Sequence, residues 1–461
     1  MGTDQWRIAD EVREAKLGDT RLSRRLEILA ETMAKDPARS FPDACGENDS
    51  ALEATYRFLR NEAVTPAGIL EPHYRATIER VRAVPEVLVV HDTTEFTFSG
   101  EREGLGRVQK YLKGFMGHFA LTVSADGRRE AMGVIGLLPV FRPWKRVNEH
   151  WRKRYRSPDK EPLRWGKLVD ETEQRIGKST SPIHVMDREA DSYEILSNLI
   201  ECKRRFVIRA RTDLRKTVEG VRLANITDGL VATATREVWL SERRPSTAKK
   251  TRKRAYRPER LATLDIRARS IEIGGPDRDR SALRLSLNVV HVVETHVPEG
   301  QDPVDWMLYT TEPIGSATEV LKIVDHYRGR WVIEEYFKAL KTGCAYEKRQ
   351  LSTSHALLNA LSLFVPIAWT LLLLRQQSRR DPSIDDGSPS ALSERQVQVL
   401  RAVLRRPLPP RPSSRDLLLA VAALGGHIKN NGDPGWLVLG RGFQRLLEYE
   451  VGWSAATSDQ S

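Results

Sequence analysis

Two strand-length apolar runs, far apart in the chain, each end on an aspartate. The first is Glu86-Val-Leu-Val-Val-His-Asp92, followed by Thr93 and Thr94; the second is Ile183-His-Val-Met-Asp187, followed by Arg188-Glu-Ala-Asp-Ser-Tyr-Glu-Ile-Leu196. The apolar part of each run fits a buried strand, and the residues after Asp187 fit the opening of a helix. That pairing predicts an α/β fold with a parallel element, in which ligands gather beyond the carboxyl ends of the strands, where both aspartates would stand. Taken singly, Asp187 could simply cap its helix and Asp92 could begin a turn.

A third acid changes the balance. Ser316 to about Thr342 reads as one helix, with a capping box at Ser316 and Glu319 and a stop at Gly343. Ile323, Val324, Trp331, Ile333 and Phe337 are its apolar surface. Tyr327, Arg330, Glu334 and Lys341 stand at offsets 0, 3, 7 and 14, within an arc of about 60° on an ideal helix. Such a stripe can be an ordinary solvated face. Set against Asp92 and Asp187, however, it offers a third carboxylate flanked by cations. Three carboxylates can hold a pair of hard divalent ions, magnesium or, as a substitute, manganese, which take oxygen ligands and share phosphate oxygens with a substrate. Cys45, Cys202 and Cys344 are scattered and no histidine pair has ligand spacing, so nothing favours zinc.

These motifs carry a resemblance over nearly the whole chain. The sequence resembles the cut-and-paste DDE transposases of bacterial insertion sequences, specifically the IS-four family in its Tn-five-like branch. Tyr327-x2-Arg330-x3-Glu334-x6-Lys341 matches that family's Y-R-E-K signature, and Asp92-Thr-Thr94 and Asp187-Arg-Glu-Ala-Asp191 match its aspartate segments. The resemblance implies that Asp92, Asp187 and Glu334 are catalytic metal ligands for two Mg2+ ions, with Tyr327, Arg330 and Lys341 beside the scissile phosphate. It implies that Trp306, in Asp305-Trp-Met-Leu-Tyr-Thr-Thr-Glu-Pro313, stacks on a flipped base, with Arg209 and Arg211 near it. Leu17-Gly-Asp19 with Arg21, Arg24 and Arg25, and Ala54-Thr-Tyr-Arg-Phe-Leu-Arg-Asn61, resemble the end-recognition domain, placing Arg25 and Arg57 on the terminal inverted repeat. Partners implied are double-stranded DNA, as transposon ends and target, and a second copy of the chain in a homodimer.

Composition points the same way by a separate route. A formal charge of +12 and a pI near 9.6 favour a polyanionic partner. Three unclustered cysteines and a polar amino end fit a cytoplasmic protein. Ala356 to Leu374 approaches the length of a membrane span; as a lone segment it is expected to be a buried helix beside the Glu334 helix, with no membrane role.

The expected organisation has three parts. Residues 1–70 form a helical DNA-end-binding domain. Residues 71–377 form an RNase H-like catalytic domain with an all-β insertion at about 210–315, and residues 378–461 form a helical dimerisation domain. Within the catalytic part, Ala125-Asp-Gly-Arg128 joins two strands as a hairpin. Arg142 to Arg164 is a charged connection, and Arg243 to Arg260 is a basic hairpin tip with nine Lys or Arg against Glu259. Ser378 to Ser390, rich in Asp, Ser and Pro, is a weakly ordered stretch.

Overall fold

A computed structural model describes residues 8–109, 112–144, 163–178, 180–211, 215–240, 242, 256–275, 284–378, 392–405, 407–410, 412–427 and 434–458. Most of the charged connection, residues 243–255 of the basic tip and nearly all of the Asp/Ser/Pro-rich stretch lie outside these residues.

The chain is mixed α/β, built on one ten-stranded sheet. In chain order the strands are β1 (Val87–Phe98), β2 (Gly106–Arg107), β3 (Lys113–Ser124), β4 (Ala131–Val140), β5 (Ile183–Met186), β6 (Arg205–Arg209), β7 (Ala234–Leu240), β8 (Arg260–Ile273), β9 (Leu285–Glu294) and β10 (Asp305–Thr310). Their order across the sheet is β2-β3-β1-β5-β6-β10-β9-β8-β7, with β4 also on β3. β1, β5 and β6 run parallel at the centre, and Val87 to His91 of β1 and all of β5 are buried, which is why those two segments read as apolar runs.

β7 to β10 lie in the stretch expected to be an all-β insertion. β10 pairs with β6 from Thr310↔Val207 to Leu308↔Arg209, so β7 to β10 extend the central sheet without a seam. The expected hairpin also forms between β3 and β4, with Gly127 in the left-handed region at φ +85.

Helices cover this sheet. The amino-terminal helices are α1 (Thr20–Lys35), α2 (Phe41–Cys45), α3 (Asp49–Arg60) and α4 (Pro66–Arg82), with Asp19, Ser40, Asn48 and Thr65 each accepting a backbone N–H at its N-cap. Then come α5 (Arg164–Ile176), α6 (Tyr193–Glu201), α7 (Ala317–Gly329), α8 (Trp331–Lys338) and α9 (Ser354–Ser378). Within α9, Ser354–Gln376 is long and apolar enough to cross a membrane, but most of it is buried against protein. Asn359 donates to the carbonyls of Leu59 and Val64, Trp369 Nε1 donates to Ala131 O, and Val365 O accepts from the Tyr336 hydroxyl. The expected packing of α9 beside the Glu334 helix is therefore present.

Three further helices, α10 (Glu394–Val403), α11 (Ser414–Leu424) and α12 (Trp436–Ser458), share an apolar cluster that includes Leu400, Val421 and Leu446. Here α11 and α12 meet backbone to backbone: a Cβ on Gly442 would stand 1.8 Å from Val421 O.

The segment expected as a single helix departs from that expectation. α7 ends at Gly329, a turn at Arg330 leads into α8, and Ala339–Gly343 is a π turn. The helical path ends at Gly343 as expected, but the left-handed residue is Ala345, at φ +46. Trp331, read as apolar core surface, is 50% exposed, with the Arg330 guanidinium 4.9 Å from its ring centroid.

Candidate active site on the central sheet

The two aspartates meet because of strand register. β1 and β5 pair as Leu88↔Ile183, Val89↔His184 and Val90↔Val185. Counting two residues on from Val90↔Val185 leads to Asp92 and Asp187, whose carboxylates are near enough to influence one another. The sequence reading put Asp92 at a strand end, which needs correction. β1 continues to Phe98 because β3 pairs with it along its whole length, from Val87↔Ser124 to Phe98↔Lys113. On the other side the pairing with β5 stops at Val90, so the edge of β1 opens beside Asp92.

α7 and α8 bring the third acid. α7 lies across β1, β5 and β6, and Gly329 is what lets it come so near: a Cβ there would be 2.8 Å from Leu88 Cδ1. Arg330 follows at once and is 8% exposed. Its Nη1 lies 2.8 Å from Asp92 Oδ2 and its Nη2 lies 2.6 Å from Glu334 Oε1. One guanidinium thus bridges the two carboxylates, which is the geometry the planar fork favours.

The electrostatics follow from this crowding. Burial pushes the Asp92 carboxyl up to about 7; Arg330 opposes the rise, and the neighbouring charges of Asp187 and Glu334 add to it. Burial would lower the Arg330 guanidinium, but Asp92, Tyr327 and Glu334 together hold it above its ordinary value. Among the described residues, no three His, Cys, Asp or Glu side chains stand close enough to hold a metal ion as they are. Asp92 and Glu334 face one cation already, the guanidinium between them. The donor set of Asp92, Asp187 and Glu334 is all carboxylate oxygen, which suits a hard divalent ion.

The remaining expected residues divide between this cluster and elsewhere. Tyr327 is buried near Arg209, and its ring meets Trp306 edge-on at 5.6 Å between centroids. Burial raises its phenol. Arg209 also donates to Asp305 O at 3.2 Å. Arg211 is exposed, and its backbone N–H donates to Asp191 Oδ2 at 2.7 Å. Lys341, within the π turn, faces β1: its ammonium donates to Glu95 O and lies 5.4 Å from the Phe96 ring, and burial lowers its pKa. Arg25 and Arg57 sit apart on α1 and α3. Arg57 is exposed, 3.9 Å from Glu53, and lines a shallow groove with Tyr56, Arg60 and Asn61.

Sequence reasoning missed the groups behind the aspartates. Thr93 Oγ1 is bonded to His118 Nδ1 at 2.9 Å and to Arg164 Nε at 3.3 Å. His91 Nε2 and His184 Nδ1 are 2.9 Å apart, and His184 Nε2 is 3.0 Å from Glu173 Oε1. Burial holds His91 and His118 well below the usual histidine range, so both are neutral. The only signal in the sequence was a histidine within each apolar run and at Phe115-Met-Gly-His118.

Comparison with known proteins gives this cluster a context. Residues 3–64 match the family model described as transposase DNA-binding, and residues 164–365 match the transposase DDE domain. The DDE match spans Asp187 and Glu334, while Asp92 lies before it. A solved structure described as a piggyBac transposase synaptic complex with hairpin DNA is 13% identical, covers 80% of this chain and 73% of its own, and gives a TM-score of 0.36. Carrying both a transposase DNA-binding domain and a transposase DDE domain, the chain is a DDE transposase.

Proposed function

We propose that this enzyme moves an insertion sequence by cutting and pasting, and belongs to the IS-four family in its Tn-five-like branch. The observation that carries this reading is Arg330 joining Asp92 to Glu334, with Asp187 just past the end of the strand that pairs with β1. The strand order β4-β3-β1-β5-β6, with β1, β5 and β6 parallel, supports an RNase H-like core. Residues 1–70 serve as the end-binding domain, 71–377 as the catalytic domain with its β extension at about 210–315, and 378–461 as the part through which two copies pair. The enzyme works in the bacterial cytoplasm, as a homodimer on DNA.

Asp92, Asp187 and Glu334 are the residues that would hold two Mg2+ ions, or Mn2+ in their place. Bound there, the ions supply an acidified water for attack and positive charge for the departing 3′ oxygen. Arg330 keeps the acids together before DNA arrives and turns its fork toward a phosphate oxygen when the strand enters. Tyr327 and Lys341 flank the same phosphate. The freed 3′ hydroxyl then attacks the opposite strand, forming one phosphodiester bond as another breaks, which closes a hairpin. Trp306 gives the displaced base an aromatic platform beside Arg209 and Arg211. Arg25 and Arg57 hold the terminal repeat.

The test uses a supercoiled plasmid carrying the gene with its native flanking DNA, incubated with the protein and Mg2+. Excision with hairpin ends on a denaturing gel is expected. Nicks without hairpins would remove the hairpin step, and uncut plasmid bound by the protein would remove the proposal.

A further inference from the structure

One hydrogen-bonded path connects the two aspartates through a residue that neither motif contains. Asp92 Oδ1 accepts from the backbone N–H of Thr93 at 2.7 Å. Thr93 Oγ1 accepts from Arg164 Nε at 3.3 Å, and Arg164 Nη2 meets Glu189 Oε2 at 2.8 Å. The backbone N–H of Glu189 in turn donates to Asp187 Oδ1 at 2.7 Å. Each aspartate is thus oriented by the amide of a residue just after it, and the side chains of those two residues are held by a single guanidinium.

The surroundings make Arg164 a stiff member of that path. It stands at the start of α5, its side chain is 7% exposed, and its guanidinium lies 5.7 Å from the ring centroid of Trp165, which is fully buried. The Trp165 ring packs against His118 at 4.4 Å between centroids. The Thr93 hydroxyl is held between Arg164 Nε and His118 Nδ1, which fixes the rotamer of Thr93.

We propose that Arg164 is a positioning residue that sets the spacing and orientation of Asp92 relative to Asp187, acting through Thr93 on one side and Glu189 on the other. The parallel pairing of β1 and β5 stops at Val90↔Val185, so no backbone pairing ties Asp92 to Asp187 directly, although β3 still holds Asp92 on its other side. Arg164 supplies the missing tie from outside the sheet. A lysine would keep the charge but has no planar fork to reach both partners. This inference rests on the reading of Asp92 and Asp187 as partners at one reaction site.

The experiment compares the full-length protein with Arg164→Lys, Arg164→Met, Glu189→Gln and the Arg164→Met/Glu189→Gln double variant. Glu189 is 60% exposed, so its substitution leaves the fold alone even should the Arg164 variants fold poorly. Two readouts are taken: Mn2+ binding, from loss of the free-ion EPR signal, and the Mg2+ concentration for half-maximal cleavage of the plasmid above. Partners that orient metal-binding carboxylates typically change affinity by about 10- to 100-fold, so a weakening of that size is expected in Glu189→Gln and in both Arg164 variants. DNA binding should stay unchanged, and the double variant should be no worse than the poorer single one. Wild-type Mn2+ binding and Mg2+ dependence in Glu189→Gln and Arg164→Lys would overturn the inference. Asp92→Asn and Asp187→Asn are run alongside: if they abolish cleavage, such a result sinks only Arg164's role, and if they cut normally, the reading of the site itself has failed.

Discussion

Glu11 joins the DNA-binding segment to the catalytic part, and its replacement by glutamine gives a quantitative prediction. The side chain is 1% exposed, with Arg80 Nη1 2.7 Å from its Oε1 and His73 Nδ1 hydrogen-bonded to its Oε2. Val134 N–H lies at His73 Nε2, and His73 Nδ1 faces Glu11. Arg80 also donates to Met132 O at 2.5 Å and covers the Trp369 ring at 4.1 Å, which ties the cluster to β4 and α9. Burial alone would raise the Glu11 carboxyl, but His73 and Arg80 outweigh it and hold it at about 2, against an ordinary 4.5. A gap of about 2.5 units corresponds to about 3 kcal/mol of stability. Because the folded value is the lower one, this contribution is complete above pH 4.5 and fades as pH falls toward 2; by pH 3 about 2 kcal/mol of it is gone. Urea unfolding of Glu11→Gln beside the wild type should therefore show a gap of about 3 kcal/mol at pH 7 that narrows to about 1 kcal/mol at pH 3. A gap below about 1 kcal/mol at pH 7, or one that does not change with pH, refutes the linkage.

Further outcomes follow from other parts of the molecule. With Asp92 pushed up to about 7, protons compete for that carboxyl below neutrality, so at limiting Mg2+ the cleavage rate should rise about tenfold per pH unit below 7 and level off above it; a flat profile from pH 5.5 to 8.5 would contradict this. Trp306→Ala removes the edge-on contact with Tyr327 and should reduce hairpin closure more than first-strand nicking, with Trp306→Phe restoring part of it; equal loss of both steps in gel assays would count against the aromatic role. Gly442→Ala would push a Cβ to 1.8 Å from Val421 O, so the α11 and α12 pair must separate, at about 1–3 kcal/mol by the usual cost of overpacking; an unchanged urea midpoint would show that the helices shift freely.

Much of this site was visible in the chain because its signals are local. The apolar runs before Asp92 and Asp187 are unbroken since both strands are buried on two faces, and the spacing of Tyr327, Arg330 and Glu334 survives because only one turn interrupts the helical path between α7 and α8. What was hidden depends on partners distant in sequence. Nothing near Asp92 announces that β3 will carry β1 on to Phe98, and nothing in β7 to β10 announces that β10 will dock on β6. Trp331 looks like core by its type, but it follows Arg330 at the turn, where the guanidinium rather than a helix covers it. Lys341 fell on the right stripe for an ideal helix, and the π turn at Ala339–Gly343 then rotated it toward Glu95. Arg164 lies at the end of a charged connection, where its burial and its two partners have no signature at all.

The account stands on three carboxylates from β1, β5 and α8 meeting around divalent ions. The most direct measurement is the position of Mn2+, by anomalous diffraction, in crystals of the protein with cleaved transposon-end DNA. The account predicts density between Asp92 and Asp187, with Glu334 released from Arg330 and turned toward the ions. Manganese bound elsewhere, with Arg330 still bridging Asp92 and Glu334 beside the cut strand, would contradict it.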